Sequence, residues 1–296
     1  MYPQPEHMKR ILTAVVLILV VFALVFFGQL WMITLFAAIV AELAAYEYLQ
    51  LANNTRLPAD QSRIPVWWMA ASTTLLFLVT LPNWPLEAQF PVLSALAIIL
   101  FAWNGFRAEP ATLDRVLPGT AKGIFGLIYV VYPLTLIPLL WKQEDGIALI
   151  LFLMLCVWAG DIAALYIGRT FGHYKLAPRL SPGKTWEGAI ASVLGSVLAA
   201  ALLVLIGDQL FARGNTILHI TEPLWQSLIL AVVLNIAAQV GDLLESAIKR
   251  GAGVKDSGTM LPGHGGILDR IDALLLAAPV LWYVLLIKDY LGLGRF

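Results

Sequence analysis

The sequence predicts an all-α, polytopic integral membrane protein with about nine transmembrane helices and a cytoplasmic N-terminus. Three observations predict it. Mean hydropathy is +0.82. Only 13% of the 296 residues are charged, against about a quarter in soluble domains. Apolar runs of about membrane-spanning length recur along the chain, and the basic residues between them alternate in abundance from one loop to the next.

In chain order the runs are Ile11–Phe27, Leu30–Leu51, Val66–Leu81, Phe90–Phe106, Gly123–Leu140, Gly146–Gly168, Gly188–Ile206, Leu224–Ile248 and Ile271–Ile287. The first follows a short basic lead, Lys9 and Arg10, but no small-residue cleavage site follows it, so it reads as a retained signal anchor. The third and fourth, at 16 and 17 residues, are short for a hydrocarbon core of about 30 Å. With the N-terminus on side one, that side collects Lys9, Arg10, Arg56, Arg63, Arg107, Arg115, Lys122, Arg169, Lys175, Arg179, Lys184, Lys249, Arg250, Lys255 and Arg270, fifteen of the 19 basic residues. Lys142, Arg213, Lys288 and Arg295 fall on the other. The positive-inside rule therefore places the N-terminus in the cytoplasm and the C-terminus outside. The lone Cys156 excludes an intramolecular disulfide. No repeat or long linker divides the chain, which reads as one membrane domain, residues 1–145 being N-terminal helices and 146–296 helices and loops that carry chemistry.

Acids in or beside the runs are costly in lipid, about 2.5 to 3.5 kcal/mol each at mid-membrane, and so need a polar cavity or a partner. Glu42 and Glu47 read equally as acids facing a functional polar cavity and as acids that merely reach the headgroups or make a structural hydrogen bond. Asp242, Glu245 and Lys249, at i, i+3 and i+7 deep in the eighth run, share one helix face, which predicts a wet cleft. Asp269 and Asp272 repeat the device at the start of the ninth. Converging carboxylates repel unless protonated or bridged by a divalent cation. With Lys249, Arg250, Lys255 and Arg270 close in sequence, a phosphate-bearing ligand bridged through Mg²⁺ would satisfy both sets of charges. A salt-bridged cluster without ligand is the bland alternative.

Gly263, Gly265 and Gly266 surround His264 in "LPGHGGILD", which lets the backbone approach a ligand. A last helix opening at Ile267 or Leu268 would aim its free N–H groups at that loop and attract phosphate. His264 reads as a ligand contact, a helix cap or a proton-transfer group. The second basic loop, Gly168–Gly188, contains Ser181-Pro-Gly-Lys-Thr185. A P-loop would need Gly where Pro178 stands, and a preceding strand. The turn reads instead as another anion-binding loop, with Ser181, Lys184, Thr185 and nearby Asp161 as pocket residues; contact of the cations with anionic headgroups is the alternative.

Ser246-Ala-Ile-Lys-Arg250, Lys255-Asp256, Pro262-Gly-His-Gly-Gly266 and Leu268-Asp-Arg-Ile-Asp272 resemble the signature of the phosphatidate cytidylyltransferases, or CDP-diacylglycerol synthases, without departure across its 27 residues. The segment "WAGDIAALYIGRTFGHYKLAPRLSPGKTWEG" also resembles bacterial members. The resemblance implies transfer of the cytidylyl group of CTP to phosphatidic acid with release of pyrophosphate. It further implies Mg²⁺ on Asp242 and Asp269, a companion K⁺, a homodimer, and a cleft open to the cytoplasm and the bilayer of an inner membrane. On this reading Lys249, Arg250, Lys255, His264 and Arg270 work on the phosphates. Glu245, Asp256, Gly265, Gly266 and Asp272 line the substrates with Asp161, Ser181, Lys184 and Thr185. Nucleic acid is not an expected partner. A CTP-dependent polyprenol kinase would share the setting but release CDP. A transporter fits less well, since the acids gather at one end and no inverted repeat is visible.

Overall fold

The computed structural model describes residues 5–54, 64–81, 88–261 and 265–292, the side chains of 5–14 excepted. The helices are α1 (Pro5–Phe27), α2 (Leu30–Asn53), α3 (Val66–Leu78), α4 (Gln89–Arg107), α5 (Val116–Gly126), α6 (Tyr132–Trp141), α7 (Gly146–Phe171), α8 (Trp186–Phe211), α9 (Leu224–Gly251), α10 (Leu268–Ile271) and α11 (Leu274–Tyr290). A 3₁₀ turn, Pro110–Arg115, leads into α5, and a π-helical turn, Leu127–Val131, joins α5 to α6. Strands β1 (Lys175–Ala177) and β2 (Ser181–Thr185) form an antiparallel hairpin, a small departure from the all-α expectation.

Among the described residues six helical stretches are long and apolar enough to cross a membrane: α2, α4, the run Pro110–Trp141, α7, α8 and α9. The fourth run, expected to be short, is a 19-residue helix. Val15–Phe27 and α3 are shorter apolar helices, and α11 has 17 residues. The ninth run does not begin as one helix at Ile271. Asp272 and Ala273 form a turn between α10 and α11, and Asp272 Oδ1 accepts the Ala273 N–H at 2.8 Å. A short acidic side chain that binds local backbone competes with the helical ladder at such a point.

The chain forms two compact units. One comprises the described residues of Met1–Leu24, Trp31–Pro138 and Ile248–Ile271; the other comprises those of Val25–Leu30, Leu139–Ala247 and Asp272–Phe296. In the first, α3 packs on α4 and α4 on α5. A side chain at Gly126 would run into the Tyr48 ring, whose hydroxyl donates to the Lys122 carbonyl at 2.8 Å.

In the second unit α7 and α8 make the most extensive pairing. One face of α8 presents Gly188, Ser192, Gly195 and Ser196 to α7. A Cβ at Gly195 would stand 2.8 Å from the Ala159 carbonyl oxygen, so the backbones approach as closely as glycine permits. Ile190, Leu194, Leu198 and Leu202, on the opposite side, are all exposed. Large apolar residues outward and small ones inward is the inverse of a soluble helix and the pattern of one facing lipid. At 26 residues and about 1.5 Å per residue, α8 exceeds the hydrocarbon thickness.

Candidate active site

Within the second unit, Asp161 on α7, Lys184 on β2 and Asp242 on α9 come together. Lys184 Nζ lies 2.6 Å from Asp242 Oδ2, and Asp161 stands within Coulombic reach of both. The hairpin that delivers Lys184 pairs Lys175 with Thr185 and Ala177 with Ser181. Two devices fix it to α8. Thr185, 4% exposed, caps the helix through Oγ1, which accepts the Gly188 N–H at 3.2 Å. The Glu187 carboxylate accepts the N–H groups of His173 and Tyr174, at 3.0 and 3.2 Å on Oε1. Thr185 is thus occupied as a cap, and Ser181 is half-buried. Lys175 and Arg179 stay exposed on the hairpin.

The rotation of α9 that presents Asp242 has its own cause. Asn235 and Gln239 lie seven and three residues before Asp242, on the same helix face. Asn235 Nδ2 donates to Ser192 Oγ at 2.9 Å and Ser196 Oγ at 2.7 Å. Gln239 Nε2 donates to Asn235 Oδ1 at 2.6 Å and to the Ala189 carbonyl at 3.2 Å. Interhelical amide bonds of this kind contribute about 0.6 kcal/mol each in membranes and set which face turns inward. On the same helix Gly241 sits against the Asp272 carbonyl, 2.6 Å from where a Cβ would be, which brings the turn at Asp272 beside Asp242. Glu245, expected on a wet cleft with Asp242, is instead fully buried.

The first unit holds the signature aspartate Asp269. Asp269, its side chain 7% exposed, pairs with Lys249 at 2.7 Å. Its carboxylate also accepts the Ser257 N–H at 3.0 Å and the Gly266 N–H at 2.9 Å, both on Oδ2. Ser257 Oγ accepts the Asp269 N–H at 3.3 Å and donates to Glu47 Oε2 at 2.9 Å. Glu47 Oε2 also accepts the Leu268 N–H at 2.9 Å. The free amide donors expected ahead of the last helix, as a phosphate site, are therefore taken by Glu47 and Asp269. With α10 only four residues long, there is little dipole behind them. Asp269 and Asp272 do not share a helix face either, because the chain breaks between α10 and α11.

Gly265 has φ +80, a backbone state that side-chain-bearing residues rarely adopt, and its carbonyl oxygen accepts the Leu261 N–H at 2.9 Å. Arg250, Lys255, Asp256 and Arg270 are exposed around this loop. His264, with Pro262 and Gly263, lies outside the described residues. Two residues that the motifs did not single out, Glu187 and Ser257, organise the two loops. Glu47, noticed only as a costly acid, binds one of them.

Among the described residues no three His, Cys, Asp or Glu side chains are grouped to hold a metal. Mg²⁺ does not require such a cage; it takes one or two carboxylates together with substrate phosphates and water. Asp242 in the second unit and Asp269 in the first each suit such a role taken separately, being hard oxygen donors whose charge is balanced by a lysine.

The chain matches the model of the cytidylyltransferase family over residues 8–288. It is 37% identical to a phosphatidate cytidylyltransferase of Brucella suis over 275 residues, covering 92% of this chain and 91% of the relative. It is 31% identical to the phosphatidate cytidylyltransferase of Staphylococcus haemolyticus over 277 residues, covering 92% and 96%. An Escherichia coli protein of uncharacterised function is 33% identical over 268 residues, covering 90% of this chain and 83% of its own length.

Proposed function

The chain belongs to the cytidylyltransferase family, and from that membership we propose that it transfers the cytidylyl group of CTP to phosphatidic acid, forming CDP-diacylglycerol and pyrophosphate for phospholipid synthesis. The observation that carries the reading is that each of the two aspartates assigned to the metal meets a lysine: Asp242 meets Lys184, and Asp269 meets Lys249. A carboxylate beside an ammonium is suited to a polyphosphate, since the lysine can turn to phosphate oxygens while the carboxylate is retained for a cation.

An oxygen of the phosphatidate phosphate attacks the α-phosphorus of CTP in line. The new P–O bond joins the two phosphates, and the bond to the β-phosphate breaks with its electron pair leaving on pyrophosphate. The nucleophile is already an anion, so no general base is needed. Lys184, Lys249 and the exposed Arg250, Lys255 and Arg270 neutralise the charge on the departing group. Asp242 and Asp269 would hold Mg²⁺, which supplies Lewis-acid stabilisation of the phosphate oxygens when bound. Asp161 lies within Coulombic reach of Asp242 and Lys184 and completes the charged group that the phosphates would meet.

The topology that goes with this reading is nine crossings of a bacterial inner membrane, the N-terminus and both basic loops in the cytoplasm, where CTP is found. The loop distribution of lysine and arginine supports it.

The test is a detergent-solubilised assay with phosphatidic acid, Mg²⁺ and CTP labelled at the α-phosphate. Label passing into lipid with one pyrophosphate released per transfer supports the proposal. Intact CTP with an active control enzyme overturns it, as does release of CDP, which marks a kinase.

A further inference from the structure

Glu47 is a carboxylate in the N-terminal half of the chain, 2% exposed, within a helix of membrane-spanning length. An acid so placed persists only where donors meet it. Its donors come from the signature loop: the Ser257 hydroxyl and the Leu268 N–H, both at 2.9 Å and both on Oε2. Ser257 in turn donates its N–H to Asp269 and accepts the Asp269 N–H. Two hydrogen bonds therefore separate Glu47 from the Asp269 carboxylate.

Two glycines of the loop are shaped by the same group. A Cβ at Gly258 would fall on Glu47 Oε1, and one at Gly266 on Ser257 Oγ and Glu47 Oε2. The loop is moulded around this carboxylate. Its glycines serve close packing on an acid from α2, in addition to any approach to a ligand.

We infer that Glu47 is a positioning residue for the reaction, acting through Ser257 and Leu268 to hold Asp269 where it works. The catalytic significance rests on the proposed cytidylyl transfer; the hold on the loop does not. Because Oε2 takes both bonds and Oε1 has no hydrogen-bond partner among the described residues, an amide oxygen can replace Oε2. Glu47→Gln then keeps the loop in place and Glu47→Ala does not.

The test is hydrogen–deuterium exchange on the purified full chain in detergent, without ligand, together with the labelled-CTP assay on the same samples. Expected for Glu47→Ala is a rise in exchange on the order of tenfold or more in peptides covering 256–269, with peptides of α4 and α5 unchanged. Transfer falls by on the order of tenfold or more, and Glu47→Gln restores most of both. Wild-type exchange of the loop in Glu47→Ala overturns the inference, as does wild-type turnover in that variant. So does a Glu47→Gln as impaired as Glu47→Ala. If Glu47→Ala does not fold, Ser257→Ala removes the same tie from the loop side and must raise exchange in 265–271; no rise there also overturns it. An inactive wild type with the exchange pattern as expected would sink the proposed reaction and leave the hold of Glu47 on the loop standing.

Discussion

Lys184 reaches Asp242 at 2.6 Å from the second strand of a hairpin, so that a residue of a short hairpin and a residue deep in a 28-residue helix form one ion pair. With side chains 24% and 36% exposed, neither partner is sealed from a ligand. On the proposed reaction, a triphosphate would reorganise this pair.

Removing either of the carboxylates assigned to the metal is expected to abolish the chemistry without unfolding the protein. Asp242→Asn and Asp269→Asn keep side-chain size, and each should lower turnover by on the order of a hundredfold or more. Label transfer from CTP, read beside the elution profile in detergent, checks this. Full activity in both variants would show that the site lies elsewhere.

Lys184→Gln removes the cation but leaves a hydrogen-bond donor. Turnover should fall on the order of a hundredfold, and Lys184→Arg should recover part of it, since the charge is kept and the geometry changed. Steady-state kinetics with varied CTP measures both.

Thr185→Ala deletes the cap of α8 and leaves the Gly188 N–H unsatisfied beside α7. The expected cost is about 1 kcal/mol, with Thr185→Ser near wild type. Thermal unfolding in detergent, followed by helical circular dichroism, should place Thr185→Ala a few degrees lower. Equal midpoints would mean that the cap contributes nothing.

Asn235→Leu should break the amide network on α9 at a cost of about 1 to 2 kcal/mol. It should also lower turnover, because the face that carries Asp242 loses its anchor. The same unfolding and transfer measurements apply, and unchanged turnover would separate the network from the site.

Gly266→Ala puts a methyl group onto Ser257 Oγ and Glu47 Oε2, whereas Gly105→Ala on α4 enters open space. Transfer should be lost in the first and kept in the second, both measured at equal amounts of folded protein.

The apolar runs located the long helices well. The sixth and eighth begin at Gly146 and Leu224, as α7 and α9 do, and each was short of its observed C-terminus by three residues. Chain-local periodicity suffices there, because a helix in lipid must satisfy its own backbone. Helix-face spacing pointed to Asp242 and Lys249, and the signature to Lys249 and Asp269; all three carry close partners. The hairpin was less legible: it is tied to α8 by the Thr185 cap and by Glu187 accepting the His173 and Tyr174 N–H groups, and Ser181-Pro-Gly-Lys-Thr185 alone carries no strand periodicity. The break at Asp272 depends on a single side chain meeting the next N–H. Glu47 could be recognised as costly but not assigned, since its donors lie 210 and 221 residues away and no local pattern records so distant a pairing.

That distance also sets an order of events during synthesis. Glu47 enters the membrane with α2, while Ser257 and Leu268 are still untranslated. At about 5 to 20 residues per second the ribosome needs roughly 10 to 40 s to deliver them. For that interval an acid waits in the bilayer for donors that have not been made. The N-terminal half is therefore complete as a membrane insert only when the last loop arrives, and a nascent chain stopped short of Ser257 should be a preferred target for membrane quality-control proteases.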